Sequence, residues 1–384
     1  MDSCDVLIVG GGPAGSSCAW SLRNSGLRIA ILDRQSFPRN KVCGGWITPA
    51  VLQELDIDPA EYGRDRILQP ITGFRTSYIG GPEVGTHYGA AVSYGIRRIE
   101  FDDYLLRRSG AVLLQNESFA DLVRSGEGWI VNGRLRCRML VGAGGTFCPV
   151  ARYLGAKVSE EAVVTAQEVE FEMDDRQASQ CAVDGPTPEL FFCSDMKGYG
   201  WCFRKQNFLN VGLGRLDRRS LSRHVTDFLA FLRATGKIPL HVPPALGHAY
   251  PLFGVTERKV VGDGVLVVGD SAGVAYAQSG EGIRPAIESG LLAGATIQSV
   301  EGNYSLGRLD DYRCRLTERF GTCGATWMAS LCGRLPAGLI GVAARRLLET
   351  RWFTREVVLD QWFLHKNETL LSIPQRGTAP ALMS

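Results

Sequence analysis

The run Val6-Leu7-Ile8-Val9, which leads directly into Gly10-Gly11-Gly12-Pro13-Ala14-Gly15, constrains this chain more than any other stretch. Four consecutive apolar, mostly β-branched residues that end in glycine are the pattern of a strand buried on both faces of a parallel sheet. Residues 14–24 then read as a helix, with Ala19 and Leu22 for its inner face and Gly26 as its stop. Gly10, Gly12 and Gly15 have the G-x-G-x-x-G spacing. The first allows a tight turn, the second lets a pyrophosphate approach the backbone, and the third lets the helix pack closely on the strand. The helix start supplies free amides and the positive end of a dipole. A second strand, 28–32, ends at Asp33, 23 positions after Gly10, where a carboxylate accepts from ribose hydroxyls; Arg34 follows. A glycine cluster alone also marks ordinary turns. Strand, glycines, helix, strand and acid in this order argue for a βαβ unit that binds FAD or a nicotinamide dinucleotide.

With 384 residues, 45% hydrophobic and 21% charged, the chain has room for two domains, or for one large domain with another inserted. A net charge of +2 offers no electrostatic case for a nucleic-acid partner. Eleven cysteines without C-x-x-C pairs, and a start that reads as a strand rather than a leader, suggest a reducing, cytoplasmic setting with free thiols and no metal. The best membrane-span candidate, 325–344, carries Arg334 and Pro336 at its middle, so it reads as a surface-bound amphipathic element at most.

Further along, Ser36 to Trp46 forms a loop in which Arg39 or Lys41 reaches a phosphate, while Gly44 and Gly45 permit close approach to a flat ring. The plainer reading is a solvated basic turn with an inert Cys43. Residues 49–55 read as a helix, 72–93 as strands, and 97–108 as a helix with Asp102 or Asp103 in its first turn. The strand at 135–140 runs into Val141-Gly142-Ala143-Gly144-Gly145, a second strand-to-glycine junction. From 163 to 216 the pattern alternates as in strands, with Glu168, Glu170 and Glu172 on one face of the first and Val169 and Phe171 on the other. Phe191-Phe192 and Tyr199-Gly200-Trp201-Cys202-Phe203 give an aromatic sheet, either a wall for a flat apolar ligand or ordinary packing. Residues 221–235 are an amphipathic helix and 250–252 a short strand edge. The run 265–268 ends in Gly269-Asp270, another buried strand with a carboxylate at its end, suited to a ribityl or ribose hydroxyl. Gly280-Glu281-Gly282-Ile283 opens a helix over 283–295 whose N-terminus presents amides across the loop. Helices at 309–320 and 335–353 follow, and the tail after 367 reads as poorly ordered.

These separated motifs, in this order, resemble the flavoproteins of the aromatic-hydroxylase fold, and within them the geranylgeranyl reductase group, over about 5–312. Gly10 to Gly15 matches the FAD fingerprint, with Asp33 in place of the more usual glutamate. Arg98 with Phe101 and Asp102 looks like the family's helix start, and Gly269-Asp270 through Ile283 like its second FAD motif. Lys41-Val42-Cys43-Gly44-Gly45 favours the reductase group, which carries a Lys-x-Cys-Gly-Gly loop beside the isoalloxazine. Two positions depart from the pattern: Gly144 stands where an acid is usual, and Arg204 where proline is often found.

The resemblance implies an α/β fold, α+β overall, with a discontinuous Rossmann-like FAD-binding domain (1–70, 94–160 and 255–312). It also implies an inserted antiparallel-sheet substrate domain (71–93 and 161–254) and a helical C-terminal region (313–384). It implies FAD held by Gly10, Gly12, Pro13, Ala14, Gly15, Asp33, Arg34, Lys41, Arg98, Gly269, Asp270, Gly280, Gly282 and Ile283. Cys43, Gly44 and Gly45 would lie at the reacting face, and Trp46, Tyr199, Trp201 and Phe203 would line a substrate pocket. The implied activity is reduction of carbon–carbon double bonds in an apolar, isoprenoid substrate by hydride from reduced flavin, with NADPH or reduced ferredoxin as electron donor. The first alternative is an FAD-dependent monooxygenase of an aromatic or polyketide-like substrate. A halogenase lacks support, because Trp201 is the only tryptophan of its segment and Trp-x-Trp-x-Ile-Pro does not occur. A flavoprotein whose chemistry has lapsed is the third reading. Peripheral membrane contact through the basic, apolar helices after 335 competes with their simply closing a pocket. The pattern specifies no oligomeric state.

Overall fold

The computed structural model describes residues 3–371, apart from 127, 160, 162, 218–219, 256 and 322–336. The apolar strand Ser3–Val9 lies inside an eight-stranded sheet. Ile29–Leu32 and Leu135–Gly142 flank it in parallel, Val112–Leu114 lies beyond the first, and Val265–Val267 beyond the second. Both faces of this sheet are covered, with Val6, Ile8 and Ile31 in one core and Leu7, Leu32 and Leu140 in the other. That two-sided burial is why these strands are continuous apolar runs. The chain leaves Ser3–Val9 toward one side of the sheet and later returns on the other. The carboxyl end of this strand is therefore a topological switch point, where open α/β sheets bind ligands.

The helix after the glycines, Pro13–Leu22, packs lengthwise on Ile283–Ser299. A Cβ at Gly290 would lie 2.2 Å from the Ala14 carbonyl oxygen, so the small residues of 283–295 are an interhelical seam. That helix continues four residues past its expected end.

The second sheet has seven strands, ordered Leu246–Pro251, Val163–Glu172, Phe208–Arg215, Gly198–Lys205, Glu189–Phe192, Gly73–Tyr78 and Val84–His87. All neighbours pair antiparallel except Glu189–Phe192 with Gly73–Tyr78. One face packs Val169, Cys202, Leu209, Val211 and Leu213 against Val225, Phe228 and Leu232 of the helix Leu221–Ala234. The other face carries Ala166, Glu168, Tyr199, Trp201, Phe203, Asn210, His248 and Tyr250, placed together by the two-residue period and the strand register. The strand expected at 250–252 begins at Leu246, and the extra length brings His248 onto that face. A small third sheet joins Trp46–Ile47, Ser93–Ile96 and Leu68–Ile71.

The helix expected over 335–353 is described as Ala337–Leu348, followed by a π-helical segment, Phe353–Phe363. Leu348, Val358, Leu359 and Phe363 pack on Trp46, Trp201 and Phe203. Beyond Asn367 the chain stays packed through Leu371. Arg284 and Arg319 reach Glu368, Tyr276 donates to it at 2.6 Å, and Leu371 donates its amide to Glu54. Composition predicts disorder from 368 onward, but these ion pairs and hydrogen bonds hold residues 368–371. The remaining tail, and most of 325–344, lie outside the described residues. Among the described residues, no helix is long and apolar enough to cross a membrane.

Candidate functional site

A cavity of about 600 Å³ opens at the carboxyl ends of the parallel strands and runs up to the polar and aromatic face of the second sheet. Its volume is within the range of small-molecule and cofactor sites. Val9 and Gly10, Leu32 and Asp33, Ala143 to Gly145, and Val268 to Asp270 line one end, each group following a different strand of the first sheet. Gly10 has φ +115°, and a Cβ there would meet the Ala143 carbonyl oxygen at 2.3 Å, so the turn requires glycine. The Gly11 amide donates to Asp33 Oδ2 at 2.7 Å and the Gln35 amide to Oδ1 at 2.9 Å. The strand-end carboxylate thereby orders the glycine loop as well as facing the cavity. Of the residues expected to hold the cofactor, all but Gly15 line this cavity. Gly15 is buried behind it, where a Cβ would lie 2.0 Å from the Gly10 carbonyl oxygen.

Arg98 forms a buried two-pronged pair with Asp102, at 2.7 and 2.8 Å. The sequence places Asp102 or Asp103 in the first turn of the helix, but both lie past the first turn of Arg98–Arg108, and Asp102 works through this pair. Burial alone would ease the proton off Arg98. Asp102 and the neighbouring Cys43 thiol outweigh it, and the guanidinium stays charged. Arg39 reaches the same Asp102 at 3.3 Å and covers the Phe37 ring.

Lys41 Nζ lies 2.9 and 3.1 Å from the two ring nitrogens of His248, whose Nε2 is 3.8 Å from Asp270. Burial brings the lysine down to about 8, although Asp270 draws the other way. Burial also lowers the proton affinity of His248 against the pull of Asp270. For Asp270 itself, burial favours the neutral acid, but His248, Lys41 and Arg98 outweigh it and keep the carboxyl below its usual range. The sequence offers Arg39 or Lys41 to a phosphate. The structure adds His248, which sequence reasoning missed because an isolated histidine outside any motif gives no signal.

The Lys41-to-Trp46 loop is held at both backbone ends of Cys43. The Cys43 amide donates to Glu168 Oε1 at 2.6 Å, and Asn210 Nδ2 donates to the Cys43 carbonyl at 3.2 Å. Asn210 in turn accepts from Trp201 Nε1 at 2.7 Å and donates to Glu170, which pairs with buried Lys205 at 2.6 Å. Burial pulls Glu170 upward, but Lys205 prevails and holds the carboxyl below its usual range. Lys205 also donates to the Ile96 carbonyl, and Gly45, at φ +64°, passes so close that a Cβ would sit 2.2 Å from that oxygen. Gly44 presents its backbone to the cavity beside Phe203 and Trp201. Trp46 stacks on Phe363 at 5.3 Å and meets Phe203 edge-on at 5.8 Å, while Tyr199 meets Phe363 edge-on and donates to the Ser279 carbonyl. The C-terminal segment thus closes the aromatic end. The one available signal for Glu168 and Glu170 was three alternating glutamates on a strand otherwise apolar enough for a core.

The donor set fits FAD at each part. Backbone amides at a helix start, with Arg39 near, suit a pyrophosphate; Asp33 and Asp270 suit hydroxyl-bearing linkers; and the bare Gly44 backbone under aromatic walls suits a flat ring. Gly144 leaves no room for the usual acid without adjustment, since even its Cβ would lie 3.3 Å from Cys148. Arg204 lies at the far end of its strand, its Nε donating to the Gln206 carbonyl, and does not line the cavity.

A family model described as FAD dependent oxidoreductase matches residues 5–79. Menaquinone reductase of Mycobacterium tuberculosis is 29% identical over 323 residues, covering 78% of this chain and 77% of its own. Digeranylgeranylglycerophospholipid reductase 3 of Methanosphaera stadtmanae is 29% identical over 334 residues, covering 80% and 81%. A geranylgeranyl bacteriochlorophyll reductase-like protein of Thermoplasma acidophilum superposes with a TM-score of 0.70 at 22% identity, covering 91% and 88%. The flavin-dependent brominase Bmp2 superposes at 0.68 and 16% identity, covering 94% and 92%. The two structures share the fold, an FAD-binding Rossmann-like sheet joined to a second sheet. Together with the cradle, the family-model match and the curated relatives show an FAD-dependent oxidoreductase, with digeranylgeranylglycerophospholipid reductases among its relatives.

Proposed function

We propose that the protein reduces a carbon–carbon double bond in an apolar, isoprenoid substrate. The observation that carries this reading is the contact between the Cys43-Gly44-Gly45 loop and an aromatic chamber of Trp46, Tyr199, Trp201, Phe203 and Phe363, all lining the same cavity. Such a chamber excludes water and accepts a prenyl chain, and two curated relatives are named for reductions of prenylated lipids or a quinone. When bound and reduced, FAD supplies a hydride-donating centre.

The rest is the work of the chain. The glycine loop and Arg39 bind the pyrophosphate, Asp33 and Asp270 orient the linkers, and Asn210 and Glu168 fix the loop that sets how closely the ring and substrate approach. Cys43 stands at the reacting face. Cys43→Ala should retain flavin and lose most turnover, and full turnover by this variant would remove Cys43 from the mechanism.

The deciding experiment is anaerobic. Photoreduced protein is mixed with geranylgeranyl lipids, and flavin absorbance and product mass are followed together. Reoxidation with a gain of two hydrogens per turnover supports the reductase; reoxidation only after oxygen is admitted supports a monooxygenase. For the electron donor we propose NADPH or reduced ferredoxin, distinguished by which of them bleaches the flavin. For membrane contact we propose a peripheral mode through the helix Ala337–Leu348, where Val342, Leu347 and nearby Trp352 are exposed beside Arg346 and Arg351. Liposome flotation that leaves all the protein in solution would dispose of it.

A further inference from the structure

We infer that Glu168 is the acid that delivers the proton to the second alkene carbon, an inference resting on the reductase reading above. Glu168 is 5% exposed, on the cavity face of its strand, and lines the cavity with Cys43, Trp201 and Phe203. Its two oxygens do different work. Oε1 is taken by the Cys43 amide at 2.6 Å, whereas Oε2 is buried and has no hydrogen-bond partner among the described residues. A buried carboxylate oxygen without a partner is costly, and a proton on it removes the charge and leaves a carboxylic acid in the cavity wall.

The space for this side chain is itself built. A Cβ on Gly212, the residue opposite in the register, would lie 2.7 Å from Glu168 Cβ and 2.3 Å from the Trp201 ring. The surroundings keep the acid available at neutral pH. Burial lifts it to about 7, against the Cys43 amide and Lys205. The charged and titratable groups sharing its face are Glu170 and Lys205, which are paired with each other, and Glu172, Tyr199, His248 and Tyr250; the loop beneath contributes Cys43 and Lys41.

The chemistry balances with the reduced flavin of the reductase reading. The hydride forms one new C–H bond, the alkene π pair takes the Oε2 proton to form the other, and the carboxylate left behind is reprotonated from water after product leaves. The alkene gains two electrons and two hydrogens, and the flavin loses two electrons.

Glu168→Gln tests this, because the amide oxygen still accepts from the Cys43 amide while the transferable proton is lost. Flavin content and melting midpoint report that the variant is folded. Infrared titration, which depends on no turnover, should show in the difference between wild type and Glu168→Gln a protonated carboxyl that disappears near pH 7, Glu281 contributing equally to both. Alkene saturation by the variant should fall on the order of a hundredfold or more. The wild-type rate should decline as pH rises through 7, and that limb should vanish in the variant. Absence of that difference band would overturn the assignment whatever the turnover. Saturation by Glu168→Gln at the wild-type rate with the same pH limb would overturn the assignment alone. A wild type that shows the band but saturates no alkene would instead overturn the reductase reading, and with it the proton's destination.

Discussion

The two ends of the cavity are made differently. The cradle end is mostly backbone: strand termini, glycine turns and a helix start drawn from four strand ends, each a short stretch contiguous in sequence. The opposite end is a layer of side chains, Glu168, Asn210, Trp201, Lys205 and His248, that come from four strands and meet only because the register aligns them. The cradle end tolerates little change of shape, whereas the side-chain layer tolerates little change of charge or hydrogen bonding.

Gly15→Val should produce the largest effect. The added Cβ would have to displace the Gly10 carbonyl oxygen, 2.0 Å away, and backbone cannot yield as a side chain can. The expected cost is more than about 4 kcal/mol, with no flavin retained on purification. Stoichiometric flavin and an unchanged melting midpoint in this variant would break the claim that the cradle is a matter of backbone fit.

Asn210→Ala attacks the other end. It strands the Trp201 indole N–H and the Cys43 carbonyl together, at about 1–3 kcal/mol by chemical denaturation. Flavin should stay bound while turnover drops, since the loop and not the cradle is loosened. Loss of flavin in step with turnover would show that the two ends are not separable.

A smaller effect sharpens the contrast through pH. Burial raises Glu168 and Glu281, both lining the cavity, to about 7. Between the ordinary value of 4.5 and 7, the folded state therefore holds protons that the unfolded chain has released. Stability from these groups is complete below 4.5 and is lost as pH climbs through 7. The melting midpoint should be higher at pH 5.5 than at pH 7.5, and Glu168→Gln should flatten that slope. An equal slope in the variant would mean that Glu168 does not hold its proton in the folded protein.

The cradle is legible in the sequence because each part is local: an apolar run, a glycine spacing, a helix, an acid at a strand end. Such elements are specified by neighbours within about thirty residues, and every one of them lines or supports the cavity. Cys43 is legible only through its motif, since by residue type its loop could equally be a solvated turn. Asp102 stands out in the sequence with the wrong role, because helix position alone does not reveal a buried partner four residues back.

The sequence by itself determined the nucleotide sheet, its glycine turns and the aromatic character of the second sheet, because periodicity and backbone conformation are set by adjacent residues. Tertiary structure alone decided which way the glutamates of 163–172 face and what meets them. An alternating strand states only that two faces differ. Which face receives the Cys43 loop, and so which carboxyl is buried without a second partner, depends on strands and a loop more than a hundred residues away.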